Sequence, residues 1–114
     1  MRALIVTLLI SFAIGPWRDA SAQDSPDDPR AFVQFVQDLS GNCTARNGKE
    51  ILVKNTHPTR RLRVWLDRYQ MGVGTGDRSR TDLAPGAEPE PLGCSRTLEG
   101  GAQEWRVARA AFID

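Results

Sequence analysis

The chain has 114 residues and a formal net charge of +1, with 15 Lys and Arg residues against 14 Asp and Glu residues. This length accommodates one domain at most once a leader is removed. The near balance of charge excludes the strongly basic composition that is typical of nucleic-acid-binding proteins.

The first 22 residues follow the order of a secretory signal peptide. A basic start at Arg2 precedes an uncharged apolar run over residues 3–15, and the segment closes with Ala20-Ser21-Ala22. Small residues at these last positions are typical of a signal-peptide cleavage site. We therefore expect a signal peptide over residues 1–22, cleavage after Ala22, and a periplasmic or secreted protein with no membrane span after cleavage.

The alternative is an uncleaved anchor helix. A helix that spans a bilayer needs about 20 apolar residues, whereas the run over residues 3–15 has 13 and is soon followed by Arg18 and Asp19. Length therefore favours cleavage. Removal of residues 1–22 takes away two arginines and one aspartate, which leaves the mature chain with a net charge of zero.

Two segments of different character follow the cleavage site. Residues 23–28 are polar and contain a proline, so we interpret them as a flexible linker. Apolar residues then recur at helical spacing, at Phe32, Phe35, Val36 and Leu39. This spacing predicts an amphipathic helix over residues 29–41 that packs on the following domain. A strand through Val33 and Phe35 is the other interpretation, but Gln37 breaks its apolar face.

The next two segments are strand-like. Residues 50–55 are apolar and rich in branched side chains, which predicts a strand. Residues 61–69 alternate, with Leu62, Val64 and Leu66 on one side, which predicts a second strand. A polar turn around Pro58 joins the two. We expect them to form a hairpin.

Glycine and proline divide the remainder of the chain. Residues 71–79 contain three glycines, which predicts a mobile loop or a wide turn, and residues 80–83 allow a short strand. A further strand is predicted over residues 90–96 and a last one over residues 105–113. A bulge near Arg109 would turn all the apolar residues of the last strand inward, namely Trp105, Val107, Ala108, Ala110 and Phe112.

Five short strands with closely spaced turns predict a mainly β protein. We expect a small immunoglobulin-like antiparallel β-sandwich over residues 42–114, preceded by the short amphipathic helix. Cys43 and Cys94 are the only cysteines, and in an oxidising compartment they predict one disulfide. Such a bond would contribute roughly 4 kcal/mol in the chain-entropy model. Two reactive thiols are the alternative, but no CxxC motif supports it.

Three short stretches carry a resemblance to a known class of protein. They are Asn55-Thr56-His57-Pro58, Leu83-Ala84-Pro85-Gly86-Ala87-Glu88 and Leu92-Gly93-Cys94. Together with the alternating strand between them, they resemble small secreted immunoglobulin-like sandwiches of bacteria, over about residues 48–114. The resemblance implies the fold and a bacterial envelope location. Because these motifs are largely turn chemistry, it implies no functional residue.

The sequence predicts no catalytic, metal or cofactor site, and so favours a protein that is not an enzyme. His57 is the only histidine and precedes Pro58. A catalytic or zinc site would need partner residues that no motif supplies, so we interpret His57 as a solvent-exposed turn residue. The glycines of residues 72–76 do not form a GxGxxG motif, because Asp77 stands where glycine is required.

One group of residues is a candidate for binding. Residues 42–80 hold nine Lys and Arg against three acids. The candidate residues on and near the strand over residues 61–69 are Arg61, Arg63, Trp65, Arg68 and Tyr69. Arginine matches carboxylate and phosphate groups, and aromatic rings stack on sugars or guanidinium groups. We therefore predict a non-enzymatic binding protein whose basic-aromatic hairpin face recognises an envelope protein or an anionic glycan.

Three other interpretations stay open. The basic-aromatic face could be an ordinary solvated sheet surface, with Trp65 covered by the predicted helix or by arginine stems. A secreted inhibitor or immunity-type protein could block an enzyme through the exposed loop over residues 71–79, as small size, secretion and a disulfide suggest. A cell-wall hydrolase is the third, although the sequence supplies no catalytic set for it. The oligomeric state is left open.

Overall fold

The computed structural model describes residues 27–39 and 41–114 of the chain. The predicted signal peptide and residues 23–26 of the predicted linker lie outside the described residues. Two short 3-10 helices span Pro29–Phe32 and Gly41–Arg46. The strands are β1 (Val33–Asp38), β2 (Glu50–Asn55), β3 (Leu62–Gln70), β4 (Val73–Leu83), β5 (Glu90–Cys94) and β6 (Gln103–Phe112).

The strands form two antiparallel three-stranded sheets, with the orders β1-β2-β5 and β4-β3-β6. Alternate residues of β2 and β3 point between the sheets and are buried. The core consists of Val53, Leu62, Val64, Leu66 and Leu83. Burial of each such side chain stabilises the fold by about 1.5–3 kcal/mol. The predicted mainly β sandwich of antiparallel strands is confirmed.

The amphipathic helix predicted over residues 29–41 is wrong beyond its first turn. Asp28 caps a 3-10 helix, because its carboxylate accepts a hydrogen bond from the Arg30 N–H at 3.0 Å. From Val33 to Asp38 the backbone is extended and pairs with β2. Backbone pairing along a whole strand outweighs the weak helical preference of a short segment. The sandwich therefore includes β1 and begins before the predicted boundary at residue 42.

The hairpin predicted between the strands over residues 50–55 and 61–69 is also wrong, although both strands are confirmed. β2 and β3 lie in different sheets. Asn55 stabilises the crossing: its Nδ2 donates to the backbone oxygens of Arg60 (2.8 Å) and Leu83 (3.0 Å). Its Oδ1 accepts from the His57 N–H at 2.8 Å. Asn55 is 4% exposed, so these bonds satisfy a buried polar side chain.

The mobile loop or wide turn predicted over residues 71–79 is wrong as well, and the short strand predicted over residues 80–83 is the end of a longer one. β4 covers Val73–Leu83 and forms a hairpin with β3. Met71 and Gly72 form the turn, with φ values of 51° and 81°. A type I′ turn requires positive φ at both central residues. The register between the strands shifts at a bulge around Gly76, whose φ is 88°.

The last two strands and the disulfide agree with the sequence predictions. In β6 the pairing with β3 skips Ala108 between Val107 and Arg109, which confirms the predicted bulge. The apolar side chains of β6 that pack against the core are Trp105, Val107 and Phe112. The disulfide is confirmed and joins Cys43 of the second 3-10 helix to Cys94 at the end of β5.

Candidate binding face

The outer face of the β4-β3-β6 sheet carries most of the predicted binding residues. Because Leu62, Val64 and Leu66 point into the core, the alternate residues of β3 point outward. The neighbouring strands place arginines and acids beside them. The Arg-aromatic face consists of Arg63, Trp65, Asp67 and Tyr69 of β3, Arg78, Arg80 and Asp82 of β4, and Glu104, Arg106 and Arg109 of β6.

Two bidentate ion pairs link β3 to β4 across this face. Nε and Nη2 of Arg63 donate to the two carboxylate oxygens of Asp82 at 2.8 and 3.0 Å. Arg78 donates to Asp67 in the same way at 2.6 and 2.9 Å. Paired bonds of this kind fix both position and orientation. The hydrogen bond from Arg63 lowers the pKa of Asp82, and the one from Arg78 lowers the pKa of Asp67.

Trp65 lies between these two ion pairs, opposite Arg80 of β4 and Arg109 of β6. The Arg109 guanidinium carbon is 4.6 Å from the centroid of the Trp65 ring, a cation–π distance. Within the described residues, neither Arg80 nor Arg109 forms an ion pair with a carboxylate. The charge of Arg80 contributes to the lowered pKa of Asp82, after the larger effect of Arg63, but no described carboxylate holds its guanidinium in an ion pair. Both arginines on the strands beside Trp65 are therefore available to an anionic partner.

Tyr69 forms a second cation–π pair, with Arg106, but the charge of this arginine is already balanced by Glu104. The Arg106 guanidinium carbon is 3.9 Å from the centroid of the Tyr69 ring. Arg106 also donates from Nε to Glu104 Oε2 at 2.6 Å. Because that carboxylate neutralises Arg106, the region around Trp65 offers the stronger attraction for an anion.

Two of the five predicted binding residues lie apart from the centre of the face. Arg61 is exposed and precedes β3. Beside the main effect of Arg63, it adds a smaller electrostatic lowering of the pKa of Asp82, which places it at the margin. Arg68 points to the other side of the sheet, where its Nη1 donates to Gln103 Oε1 at 2.9 Å and its Nη2 pairs with Asp77. Arg68 therefore lies on the opposite side of the sheet from Arg63, Trp65 and Tyr69.

Arg68 lines a cleft between β4 and β5. The cleft has a volume of about 460 Å³. Leu92 and Trp105 supply its apolar surface, and Arg80 and Glu90 contribute charged groups. Arg80 belongs to the edge strand β4, so its side chain borders both the cleft and the Arg-aromatic face.

His57 has a structural position that the sequence did not indicate. It lies in the predicted turn, but its ring is half-buried, with the centroids of Phe32 and Phe112 at 4.5 and 5.4 Å. Its Nδ1 accepts hydrogen bonds from the backbone N–H groups of Thr59 (3.0 Å) and Arg60 (2.9 Å). The expectation of a solvent-exposed side chain was wrong, because the ring orders the turn between the two sheets.

The sequence prediction missed the acids and the β6 arginines of the face. Asp67 and Asp82 are isolated acids in a basic part of the sequence. Only the register of β3 against β4 shows that they lie beside arginines. Arg106 and Arg109 are three positions apart, so simple alternation would put them on opposite faces. The bulge at Ala108 brings them to the same face, and the apolar pattern that indicated this bulge could have located them.

No protein-family model, curated protein or solved structure matches this chain. In the described residues, no group of three or more His, Cys, Asp and Glu side chains is arranged to hold a metal ion. Within residues 27–39 and 41–114, no helix has the length and apolar character needed to cross a membrane.

Proposed function

We propose that this chain is a non-enzymatic binding protein of an oxidising compartment outside the cytoplasm, and that it recognises an acidic partner protein through the Arg-aromatic face. The observation that carries the proposal is the position of Arg80 and Arg109 on either side of Trp65, with no carboxylate paired to them among the described residues. The Cys43–Cys94 disulfide supports the compartment. The proposal includes a relationship to immunoglobulin-like sandwich proteins, which the two three-stranded antiparallel sheets support.

An acidic protein fits this face better than a small ligand. Trp, Tyr and Arg are enriched at protein–protein interfaces, and the face carries all three on an open sheet surface. Its bidentate ion pairs hold neighbouring side chains in place before a partner arrives, which reduces the entropy lost on binding. An anionic glycan would use the same arginines, and it is the other outcome of the test.

Two immobilised polymers that carry carboxylates, poly-L-glutamate and polygalacturonate, separate these partners. We expect the protein to bind poly-L-glutamate more tightly, and we expect the double variant Arg80→Ala/Arg109→Ala to bind at least tenfold more weakly. The control Arg46→Ala/Lys49→Ala removes two positive charges outside the face. Equal losses of affinity in both variants would mean that binding depends only on net charge, and this would overturn the proposal. Tighter binding to polygalacturonate would assign the face to a glycan.

A second candidate function is an inhibitor that acts through the tip of the β3–β4 hairpin. Met71 and Val73 are exposed at this turn, and Leu98 is exposed on the loop before β6. Exposed apolar side chains on a tight, well-defined turn suit insertion into a cleft of another protein. If this function holds, Met71→Ser/Val73→Ser abolishes capture of the partner that cross-links to the protein in intact cells. Retained capture excludes the tip.

A further inference from the structure

The four edge strands of the sandwich differ in how they are protected. On β6, the Arg30 guanidinium donates to the backbone oxygens of Val107 (3.5 Å) and Ala108 (2.9 Å). β5 has five residues, contains Pro91, which has no N–H, and changes register at a bulge. β1 has six residues. Devices of this kind keep sheet edges from pairing with other chains.

β4 is the longest edge, and its own bulge, around Gly76, leaves residues 78–82 in regular pairing with β3. It has eleven residues, pairs on one side with β3, and is exposed except near its end. Its charged side chains discourage contact with another basic edge. At the bulge, Thr75 Oγ1 accepts a hydrogen bond from the Asp77 N–H at 3.1 Å, but no described side chain bonds the backbone groups of Arg78, Arg80 or Asp82. An unpaired strand of this length is a template to which another strand can add.

The hydrogen-bond pattern identifies the backbone groups that face outward. The Ile113 N–H donates to the Arg61 oxygen, and Thr75 Oγ1 donates to the Arg68 oxygen, each at 3.1 Å. Odd-numbered residues of β3 therefore direct their backbone groups toward β6, and even-numbered ones toward β4. With this register, Ser79 and Thr81 bond to β3. The backbone groups of Arg78, Arg80 and Asp82 then point away from the sheet.

The two sides of this edge are chemically different. On the outer side stands the Arg80 side chain, which has no carboxylate partner among the described residues. On the inner side lies the 460 Å³ cleft, with Leu92 and Trp105 on its surface. A strand added to β4 would direct alternate side chains to these two sides. The residue opposite Arg80 would favour a carboxylate, and its two neighbours would favour apolar side chains over the cleft.

We propose that an extended segment of a partner protein adds to β4 at residues 78–82 as a further strand, with an acidic residue beside Arg80 and apolar residues over the cleft. A second copy of this chain fits less well, because pairing centred on Arg80 would bring two arginines together. The inference deepens the proposed function, with which it shares Arg80, by specifying the conformation and the alternating pattern of the acidic partner.

The test uses the purified protein and a nine-residue peptide with an apolar-Glu-apolar centre. Bound peptide should slow hydrogen exchange of the backbone amides of Arg80 and Asp82 at least tenfold. The same peptide with N-methyl groups on its pairing edge should bind at least tenfold more weakly. Arg80→Glu should lose the Glu peptide and bind its Lys counterpart. A further variant, Arg80→Pro, removes the outward N–H and should also lose the peptide. If Arg80→Pro fails to fold, the charge exchange in Arg80→Glu still tests the position of the acidic residue beside residue 80.

Other results would overturn the inference. Peptide binding that moves the Trp65 indole signal but leaves the β4 amides unprotected would support the proposed function and reject strand addition. Binding of poly-L-glutamate without binding of the peptide would have the same meaning. Protection of the β4 amides with no binding to poly-L-glutamate would reject the Arg-aromatic face and keep strand addition. Concentration-dependent dimers with β4 amides protected in the absence of peptide would assign the edge to a second copy.

Discussion

Gly93 of β5 lies against the indole ring of Trp105 of β6. A Cβ atom at position 93 would be 2.8 Å from Cη2 of the ring and 3.1 Å from Cζ2, and the φ of Gly93 is 154°. The contact joins an edge strand of one sheet to the interior surface of the other. It also lies next to Cys94, so the close approach and the disulfide restrain the same end of β5.

We expect Gly93→Ala to lower the free energy of unfolding by about 2–4 kcal/mol, because a new methyl group overlaps the ring and the backbone is strained. Gly86→Ala is a matched control. Gly86 also has a positive φ, of 72°, but nothing lies within 4 Å of its added Cβ. Denaturant unfolding of both variants measures the difference. Equal losses would mean that the contact with Trp105 has no cost of its own.

Asn55→Ala should destabilise the protein by about 2–3 kcal/mol. The substitution removes three hydrogen bonds, those to the backbone oxygens of Arg60 and Leu83 and the one from the His57 N–H, and the loss of hydrogen bonds to buried groups is costly. Thr56→Ala removes one exposed hydrogen bond, to the Phe32 oxygen at 3.2 Å, and serves as the control. Chemical denaturation should show a much smaller change for the control. A similar change in both would contradict the role given to Asn55.

Stability should depend on pH through Asp67 and Asp82. Hydrogen bonds from Arg78 and Arg63 lower the pKa of these carboxyl groups in the folded state below their ordinary value of 3.8. Their contribution is therefore present above that value and is lost as the pH falls through the lowered pKa. Asp67→Asn/Asp82→Asn should flatten the fall in unfolding free energy below about pH 4. The control Thr56→Ala, which changes no titratable group, should keep the slope of the parent protein.

The sequence indicated which strand residues are buried better than it indicated which strands pair with each other. The Leu62, Val64 and Leu66 alternation and the apolar pattern around Arg109 are local, and each specifies which side chains are buried. Pairing is not local. The sequence around Pro58 is typical of a hairpin turn. In the structure, Asn55 donates hydrogen bonds to the backbone oxygens of Arg60 and Leu83, and these bonds stabilise a connection that crosses from one sheet to the other.

The two wrongly predicted segments have separate physical causes. Residues 29–41 show helical spacing, but Leu39 is 66% exposed and pairing with β2 determines the conformation. The turn at Met71–Gly72 lacks the Asn-Gly or Asp-Gly signature of type I′ turns, so only the end of the strand after it, residues 80–83, was predicted. The Arg-aromatic face was predicted only in part for the same reason, because Arg78, Arg80 and Asp82 belong to that strand.

The protection of β6 by Arg30 leads to a prediction about self-association. Arg30→Ala removes the guanidinium that bonds the Val107 and Ala108 oxygens and leaves this edge open. Because those bonds are exposed, unfolding free energy should fall by about 1 kcal/mol or less. Sedimentation over a range of concentrations should nevertheless show more self-association than in the parent protein, since open edges pair. Arg46→Ala carries the same change of charge and should sediment as the parent does. If Arg30→Ala also sediments unchanged, the first 3-10 helix rather than the guanidinium covers the edge.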